Sequence, residues 1–108
     1  MAYELALTAL ADPTRRAVFE AVAVAPRAVG EIAYGLPVSR PAVSQHLKIL
    51  EQAGLVTKQA RGTRHLYSAA PEGLDDLKRY LERLWDQALG AFKESLETET
   101  GRRGETDE

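Results

Sequence analysis

The chain contains no cysteine and only two histidines, His46 and His65, among its 108 residues. Without cysteine it forms no disulfide, no thiolate redox centre and no thiolate metal site. Two histidines alone fall short of the three or four nitrogen, oxygen or sulfur ligands that a zinc site brings together. We therefore expect no bound metal and no other cofactor.

Membrane, export and catalytic signals are also missing from the sequence. No apolar run is long enough to cross a membrane, and the first ten residues lack the basic region and cleavage site of a signal peptide. There is no glycine-rich phosphate loop, and no histidine stands at helical spacing from an acid in a catalytic pattern. These absences predict a cytoplasmic protein that has no catalytic residues, does not contact membranes and is not an enzyme.

The length of the chain predicts the number of domains, and the distribution of charge along it indicates the kind of partner. The 108 residues predict one domain, and an apolar share of 44% is enough for a core. Residues 37–66 carry five Lys or Arg side chains and one acid, a net charge of +4. Residues 94–108 carry six acids and two Arg, a net charge of −4. The overall charge of −2 therefore hides a basic middle region that is suited to nucleic acid.

Residues 39–54 carry the start and stop signals of a helix, with Ser39 as N-cap and Gly54 at the end. Apolar side chains share one face at about 100° per residue, and we expect that face to be buried. They are Val43, Leu47 and Leu50. The opposite face bears hydroxyl, amide and cationic groups that can bond to base edges and phosphates. We interpret this segment as a DNA recognition helix, with an ordinary amphipathic helix as the alternative.

The flanking segments support that interpretation. Residues 29–36 predict a short helix joined to the recognition helix by a tight turn, which makes a helix-turn-helix. Residues 55–59 and 65–68 predict two strands on either side of a hairpin tip at residues 61–64. Residues 3–11 predict a first helix, and residues 12–25 a second one. The buried stripe expected on the second helix is Ala17, Val18, Ala21, Val22 and Ala25.

We expect the DNA contacts to come from the recognition helix and the hairpin. The assigned residues are Ser39, Arg40, Pro41, Ser44, Gln45, His46, Lys48, Arg61 and Arg64. Gln45 can bond an adenine edge with two hydrogen bonds, whereas Lys48 suits a phosphate. Alternatives stay open: Ser39 as a cap only, His46 as a packed residue, and the hairpin arginines as charges that protect an exposed edge.

Four charged residues outside this set have simpler expected roles. Arg15 and Arg16, near the start of the second helix, are expected to be solvated or salt-bridged, with a phosphate contact as the alternative. Arg27 is expected on the surface of a loop. Glu31 is expected to be solvated or paired with a neighbour.

A long last helix is predicted from Pro71 to about Glu97, with more apolar surface than a domain of this size covers alone. We expect it to pack with the first helix across a two-fold axis, the alternative being a helix folded back on its own core. The residues assigned to this dimer interface are Leu5, Leu77, Leu81, Leu84, Trp85, Ala88 and Phe92. Residues 1–97 would form the DNA-binding and dimerisation domain, and residues 98–108 an acidic, disordered tail.

Three blocks of the sequence resemble the ArsR/SmtB family of bacterial winged-helix repressors: ALADPTRRAVFEAV, VSRPAVSQHLKILEQAGLV and RGTRHLYS. The resemblance runs from about Leu5 to Leu96. Because metal-binding cysteines are absent, the sequence is similar, within this family, to the SdpR-type autorepressors. It implies a mostly α winged helix-turn-helix with a small β-hairpin wing between the fourth and fifth helices. It also implies a homodimer that binds an operator palindrome, often in its own promoter, on the bacterial nucleoid.

The resulting hypothesis is a sequence-specific, DNA-binding transcriptional regulator, a homodimeric repressor that metal does not control. The family's metal sites use cysteines around residues 29–36, or Asp and His on the last helix, where this chain has no histidine. Release by a small organic ligand, release by a protein partner and no inducer at all remain open. The alternative function is a winged-helix module that binds protein instead of DNA, against which the basic pattern of the recognition helix and hairpin argues.

Overall fold

The computed structural model describes the backbone of residues 2–106 and the side chains of residues 3–99. The elements in chain order are α1 (Ala2–Ala11), α2 (Pro13–Val24), α3 (Val29–Tyr34), α4 (Arg40–Gln52), β1 (Val56–Arg61), β2 (Arg64–Ala69) and α5 (Pro71–Thr106). Within residues 2–106, four helices precede a two-stranded antiparallel hairpin and one follows it. The element order predicted for a winged helix-turn-helix is therefore confirmed. No helix within the described residues is long and apolar enough to span a membrane.

The second helix begins as predicted and ends one residue early. Asp12 caps α2, and its carboxylate accepts the N–H of Arg15 at 2.9 Å. Val18 and Val22 are buried, but Ala25 is exposed and extended, so its predicted place in the buried stripe is wrong. The physical reason is Pro26, because the ring of a proline disfavours helical backbone at the residue before it.

Two arginines connect α2 to the end of α1. Arg15 donates through Nε to the carbonyl of Ala9 at 2.6 Å, and Arg16 donates through Nη1 to the carbonyl of Leu10 at 3.4 Å. The last carbonyls of a helix have no partner within the helix, so these bonds satisfy them. This structural role is neither of the two that we expected from the sequence.

The end of α4 and the start of α5 approach each other at two glycines. Gly54 has φ +78°, and its N–H donates to the carbonyl of Glu51 while that of Leu55 donates to Leu50, the Schellman pattern. A Cβ placed on Gly73 would lie 1.7 Å from the carbonyl oxygen of Gly54. The first turn of α5 therefore lies directly against the end of α4, and only glycine fits there.

The hairpin is closed by a two-residue turn, and its base is widened by a third segment. Gly62 has φ +64°, which suits the first turn position of a type II′ hairpin. Arg27 pairs with Tyr67 through two backbone hydrogen bonds of 2.9 and 2.8 Å, and its Nε donates to the carbonyl of Ala21 at 2.8 Å. The prediction that Arg27 is a surface loop residue is therefore wrong, because the free edge of β2 binds this segment.

The core lies between the helices and the base of the hairpin. Its largest fully buried side chains are Ile32, Leu47, Leu50, Leu55, Val18, Val22 and Val43, which confirms the predicted buried face of α4. In α1 the buried residues are Ala6 and Ala9, while Leu5 and Leu7 are exposed. Leu77 was assigned to the dimer interface, but it is only 8% exposed and packs in the core of its own protomer. Its side chain therefore has little surface left for a second copy.

The chain divides into two compact units, one that ends at Leu77 and one that begins at Lys78, so the boundary falls within the last helix. In the second unit the helix continues past the predicted end at Glu97 as far as Thr106. Thr98 donates through Oγ1 to the carbonyl of Glu94 at 3.0 Å. The backbone is helical over residues 98–106, where an acidic, disordered tail was predicted. Residues 107 and 108 lie outside the described residues.

Candidate nucleic-acid interface

The outer face of α4 is exposed along its length and held by a buried inner face. Ser39 caps the helix, and its hydroxyl accepts the N–H of Ala42 at 3.3 Å. The side chains of Pro41, Ser44, Gln45 and Lys48 are all exposed. The cap role of Ser39 is therefore observed, and the polar face predicted from the sequence is exposed.

A groove of about 600 Å³ separates the start of α4 from the hairpin and α3. It brings together three of the predicted contact residues, Arg40 and Ser44 from α4 and Arg64 from β2. Gln45, Lys48 and Arg61 are exposed but do not line it. The remaining lining residues are Ala28, Val29, Gly30, Glu31, His65 and Tyr67.

The guanidinium of Arg40 lies close against α3 at Gly30. A Cβ placed on Gly30 would be 3.2 Å from Nη2 and 3.3 Å from Cζ of Arg40. These distances are tighter than ordinary van der Waals contact, so a larger residue would push the end of the arginine aside. Glycine at position 30 therefore allows the charge of Arg40 to lie in the groove.

Arg64 forms an ion pair with Glu31 across the same groove. Its Nη2 donates to Glu31 Oε1 at 2.7 Å, and the two side chains are 61% and 48% exposed. The same oxygen accepts the N–H of Ala28, the N-cap of α3, at 3.0 Å. This N–H bond, with the nearby charges of Arg64 and Arg27, lowers the pKa of the Glu31 carboxyl below its usual value. Glu31 is therefore ionised at neutral pH and pairs with a neighbour, as the sequence indicated.

Similarity to known proteins places the chain in a family. A profile described as a helix-turn-helix domain matches residues 10–59. The HTH-type transcriptional regulator Rv2034 of Mycobacterium tuberculosis is 52% identical over 91 residues, which cover 84% of this chain and 85% of that protein. The solved structure of an ArsR-like transcriptional regulator from Rhodococcus is 33% identical, with a TM-score of 0.72, and covers 86% of this chain and 91% of that one. This chain belongs to the ArsR/SmtB family.

Two further matches extend the comparison. The transcriptional repressor SdpR of Bacillus subtilis is 34% identical over 68 residues, which cover 63% of this chain and 76% of that protein. The homodimeric winged helix-turn-helix DNA-binding domain Mb0332 of Mycobacterium bovis is 28% identical, with a TM-score of 0.64, and covers 80% of each chain. The resemblance inferred from the sequence is confirmed, and this ArsR/SmtB-family protein is a DNA-binding transcriptional regulator and not an enzyme.

His46 lies on the flank of α4, between the buried face and the exposed face of that helix. The residue is half-buried, and its Nδ1 is buried without a hydrogen-bond partner among the described residues. This geometry supports the packed alternative for His46, and its DNA contact stays a prediction.

The sequence interpretation missed parts of the groove that this family member forms between α3 and the wing. Glu31 stands three residues after the N-cap Ala28, a spacing from which a capping role was foreseeable. Its pairing with Arg64 joins residues that are 33 positions apart, which no local pattern reveals. The same holds for Gly30 beside Arg40 and for His65 in the lining.

Proposed function

We propose that the protein is a homodimeric repressor that binds a palindromic operator, often in its own promoter, and is not controlled by metal. The observation that carries this proposal is the exposed polar face of α4 beside a groove that holds Arg40 and Arg64. A helix of this kind fits the major groove, and a neighbouring basic hairpin reaches the adjacent backbone or minor groove. Bases would be read mainly by Ser44 and Gln45, while the arginines and Lys48 would bind phosphates.

The proposed pairing of two copies rests on the exposed apolar residues of α5. In the second unit Trp85 is 65% exposed and Phe92 62%, and several leucines are close to 48%. Exposed apolar surface on this scale is typical of a protein interface. We propose that this surface packs against a second copy, together with Leu5 of α1. The α5 members are Leu81, Leu84, Trp85, Ala88 and Phe92, to which the structure adds Leu89 and Leu96.

Symmetry would turn one DNA-reading surface into two. A two-fold axis relates the recognition helices, which would then enter successive major grooves about 34 Å apart. The homodimeric state of the Mb0332 domain, which shares this fold, supports the pairing. A palindromic operator follows because each half-site meets an identical copy.

Repression and metal independence are supported by comparison and composition. SdpR, the relative that is 34% identical, is a transcriptional repressor. The complete absence of cysteine removes the thiolate ligands that metal control by this family would use. We place the protein in the bacterial cytoplasm because its proposed target is the chromosome. A small organic ligand or a protein that covers the DNA surface would serve as inducer, if one exists.

A gel shift tests the proposal most cheaply. The full chain is titrated against the upstream region of its own gene and against a random duplex of equal length. Gln45→Ala should cost about 1–3 kcal/mol on the operator and relax one base position, whereas Lys48→Ala should weaken both duplexes alike and reduce the salt slope by about one. Equal binding of both duplexes by the unmodified protein, or no effect of either variant, would overturn the proposal.

A further inference from the structure

Glu31 places a fixed negative charge inside the surface that we propose to bind DNA. It lines the same groove as Arg40, Ser44 and Arg64. An acid at this place repels the phosphates that dominate protein–DNA affinity. The N–H of Ala28 holds its carboxylate at 3.0 Å, independently of the contact with Arg64. Glu31 therefore stays in the groove whether or not the arginine is bound to it.

The N–H of Arg64 that is donated to Glu31 cannot be donated fully to a second anion at the same time. Its Nη2 donates to a carboxylate oxygen of Glu31 at 2.7 Å, and a DNA phosphate offers the same kind of oxygen. Both side chains of the pair are exposed, at 61% and 48%, so a phosphate can reach the arginine. Exposed ion pairs are weak, so a well-placed phosphate can replace the carboxylate.

We propose that Glu31 is a specificity-determining residue that competes with DNA phosphate for the guanidinium of Arg64. On DNA that does not fit α4, Arg64 stays on Glu31 and adds nothing to the affinity. On the operator, the close fit of α4 brings a phosphate within reach, and Arg64 moves onto it. This inference rests on the proposed DNA contact of Arg64.

The opposite role for the ion pair would be to hold the hairpin against α3. The hairpin already has another attachment, because Arg27 and Tyr67 exchange two backbone hydrogen bonds of 2.9 and 2.8 Å. The part of the hairpin around Tyr67 is therefore attached without Arg64. The two roles predict effects of opposite sign, since removing a competitor strengthens DNA binding and removing a clamp weakens it.

The test is Glu31→Gln in the full chain, measured on a short duplex of random sequence. Glutamine keeps the oxygen that accepts the N–H of Ala28, so the start of α3 is preserved, while the charge is lost. We expect tighter binding of the random duplex, and a salt slope that is steeper by about 0.9 because Arg64 gains one phosphate. The advantage of the variant should then shrink by about 3.5-fold between 50 and 200 mM salt.

Two controls separate this mechanism from a general effect of charge. Glu20→Gln removes the same charge from an exposed position on α2 and should leave the salt slope unchanged. In an Arg64→Ala background, Glu31→Gln should give a clearly smaller gain and leave the salt slope unchanged, because only the repulsion between Glu31 and phosphate is then removed. An equal gain from Glu20→Gln, or an undiminished gain without Arg64, would overturn the inference.

The outcomes also separate this inference from the proposed function. If the unmodified protein binds DNA but Glu31→Gln is unchanged or weaker, only the competition is wrong. If the unmodified protein binds neither its own upstream region nor the random duplex, the proposed function fails and the competition fails with it. Unchanged thermal unfolding of Glu31→Gln would show that the comparison concerns binding and not folding.

Discussion

The unit that ends at Leu77 buries its large apolar side chains in a core, whereas the unit that begins at Lys78 leaves such side chains exposed. In the first unit, Leu47, Leu50 and Leu55 are completely buried. In the second unit, every described side chain from residue 81 to residue 99 is exposed. The first unit therefore has a core of its own, whereas a lone amphipathic helix in water has none.

This difference assigns separate tasks to the two units. A core fixes the backbone, so the first unit can present α4 and the hairpin in a defined arrangement to DNA. An exposed apolar helix gains stability when another surface covers it. We therefore expect changes in the core and the DNA-facing side of the first unit to alter folding or DNA binding. Changes in the second unit, or at Leu5 of α1, should alter the association of two copies.

The largest expected effect is that of Gly73→Ala. Its Cβ would lie 1.7 Å from the carbonyl oxygen of Gly54, so backbone must move to admit it. We expect the free energy of unfolding to fall by about 4 kcal/mol or more, which urea denaturation would measure. The matched control is Gly90→Ala on the same helix, where nothing lies within 4 Å of the added Cβ. That variant should be neutral or slightly stabilising, and an equal loss from both would contradict the close approach of α4 and α5.

Burial predicts the next effect. Leu47→Ala removes a side chain with 0% exposure and should lower the free energy of unfolding by about 2–5 kcal/mol at any protein concentration. Leu84, at 48% exposure, is the matched leucine in the second unit. Leu84→Ala should have a smaller effect that depends on concentration, because it acts through association. If both losses were independent of concentration, the contrast between the units would be wrong.

An acid in the exposed stripe should weaken pairing directly. Trp85 is 65% exposed and aromatic, the kind of residue that dominates many interfaces. Trp85→Glu should raise the dimer dissociation constant by about 30-fold, equivalent to about 2 kcal/mol. Concentration-dependent light scattering measures this constant. Val24→Glu is the control, since Val24 is 79% exposed but lies on α2. A similar effect of both variants would show that the charge acts without regard to position.

The smallest effect concerns pH. The N–H of Arg15 donates to the Asp12 carboxylate and lowers the pKa of that carboxyl. A lowered pKa in the folded state stabilises the fold above the ordinary aspartate value of about 3.9, and this contribution is lost as the pH falls below that value. Asp12→Asn keeps a capping oxygen but removes the charge. The stability advantage of the unmodified protein over Asp12→Asn should therefore be constant near neutral pH and disappear in acid, and a constant difference down to pH 3 would contradict it.

Much of the fold was predictable because its signals are local. Ser39 and Gly54 mark the ends of α4, and the spacing of Val43, Leu47 and Leu50 identifies its buried face. The hairpin and the family were likewise visible in short blocks of sequence. Such features depend on neighbours in the chain, which a periodicity or a motif records.

Apart from Ala25 and the tail, the errors and omissions concern contacts between distant segments. Arg27 pairs with Tyr67, Glu31 pairs with Arg64, and Gly73 lies against Gly54 only after the helices and the hairpin have packed. Leu77 belonged to the same apolar stripe as the residues after it, and nothing in the pattern distinguished core from interface. The groove of the proposed DNA-binding site is likewise formed by segments that are far apart in the chain and meet only when it folds.

Sedimentation equilibrium of the full chain at micromolar concentration tests the central claim most directly. The account predicts a species of twice the 11.9 kDa mass of one chain, because a second copy covers the exposed residues of α5. Trp85→Glu should shift that species towards the single chain. A sample that remains at 11.9 kDa across this concentration range would contradict the account.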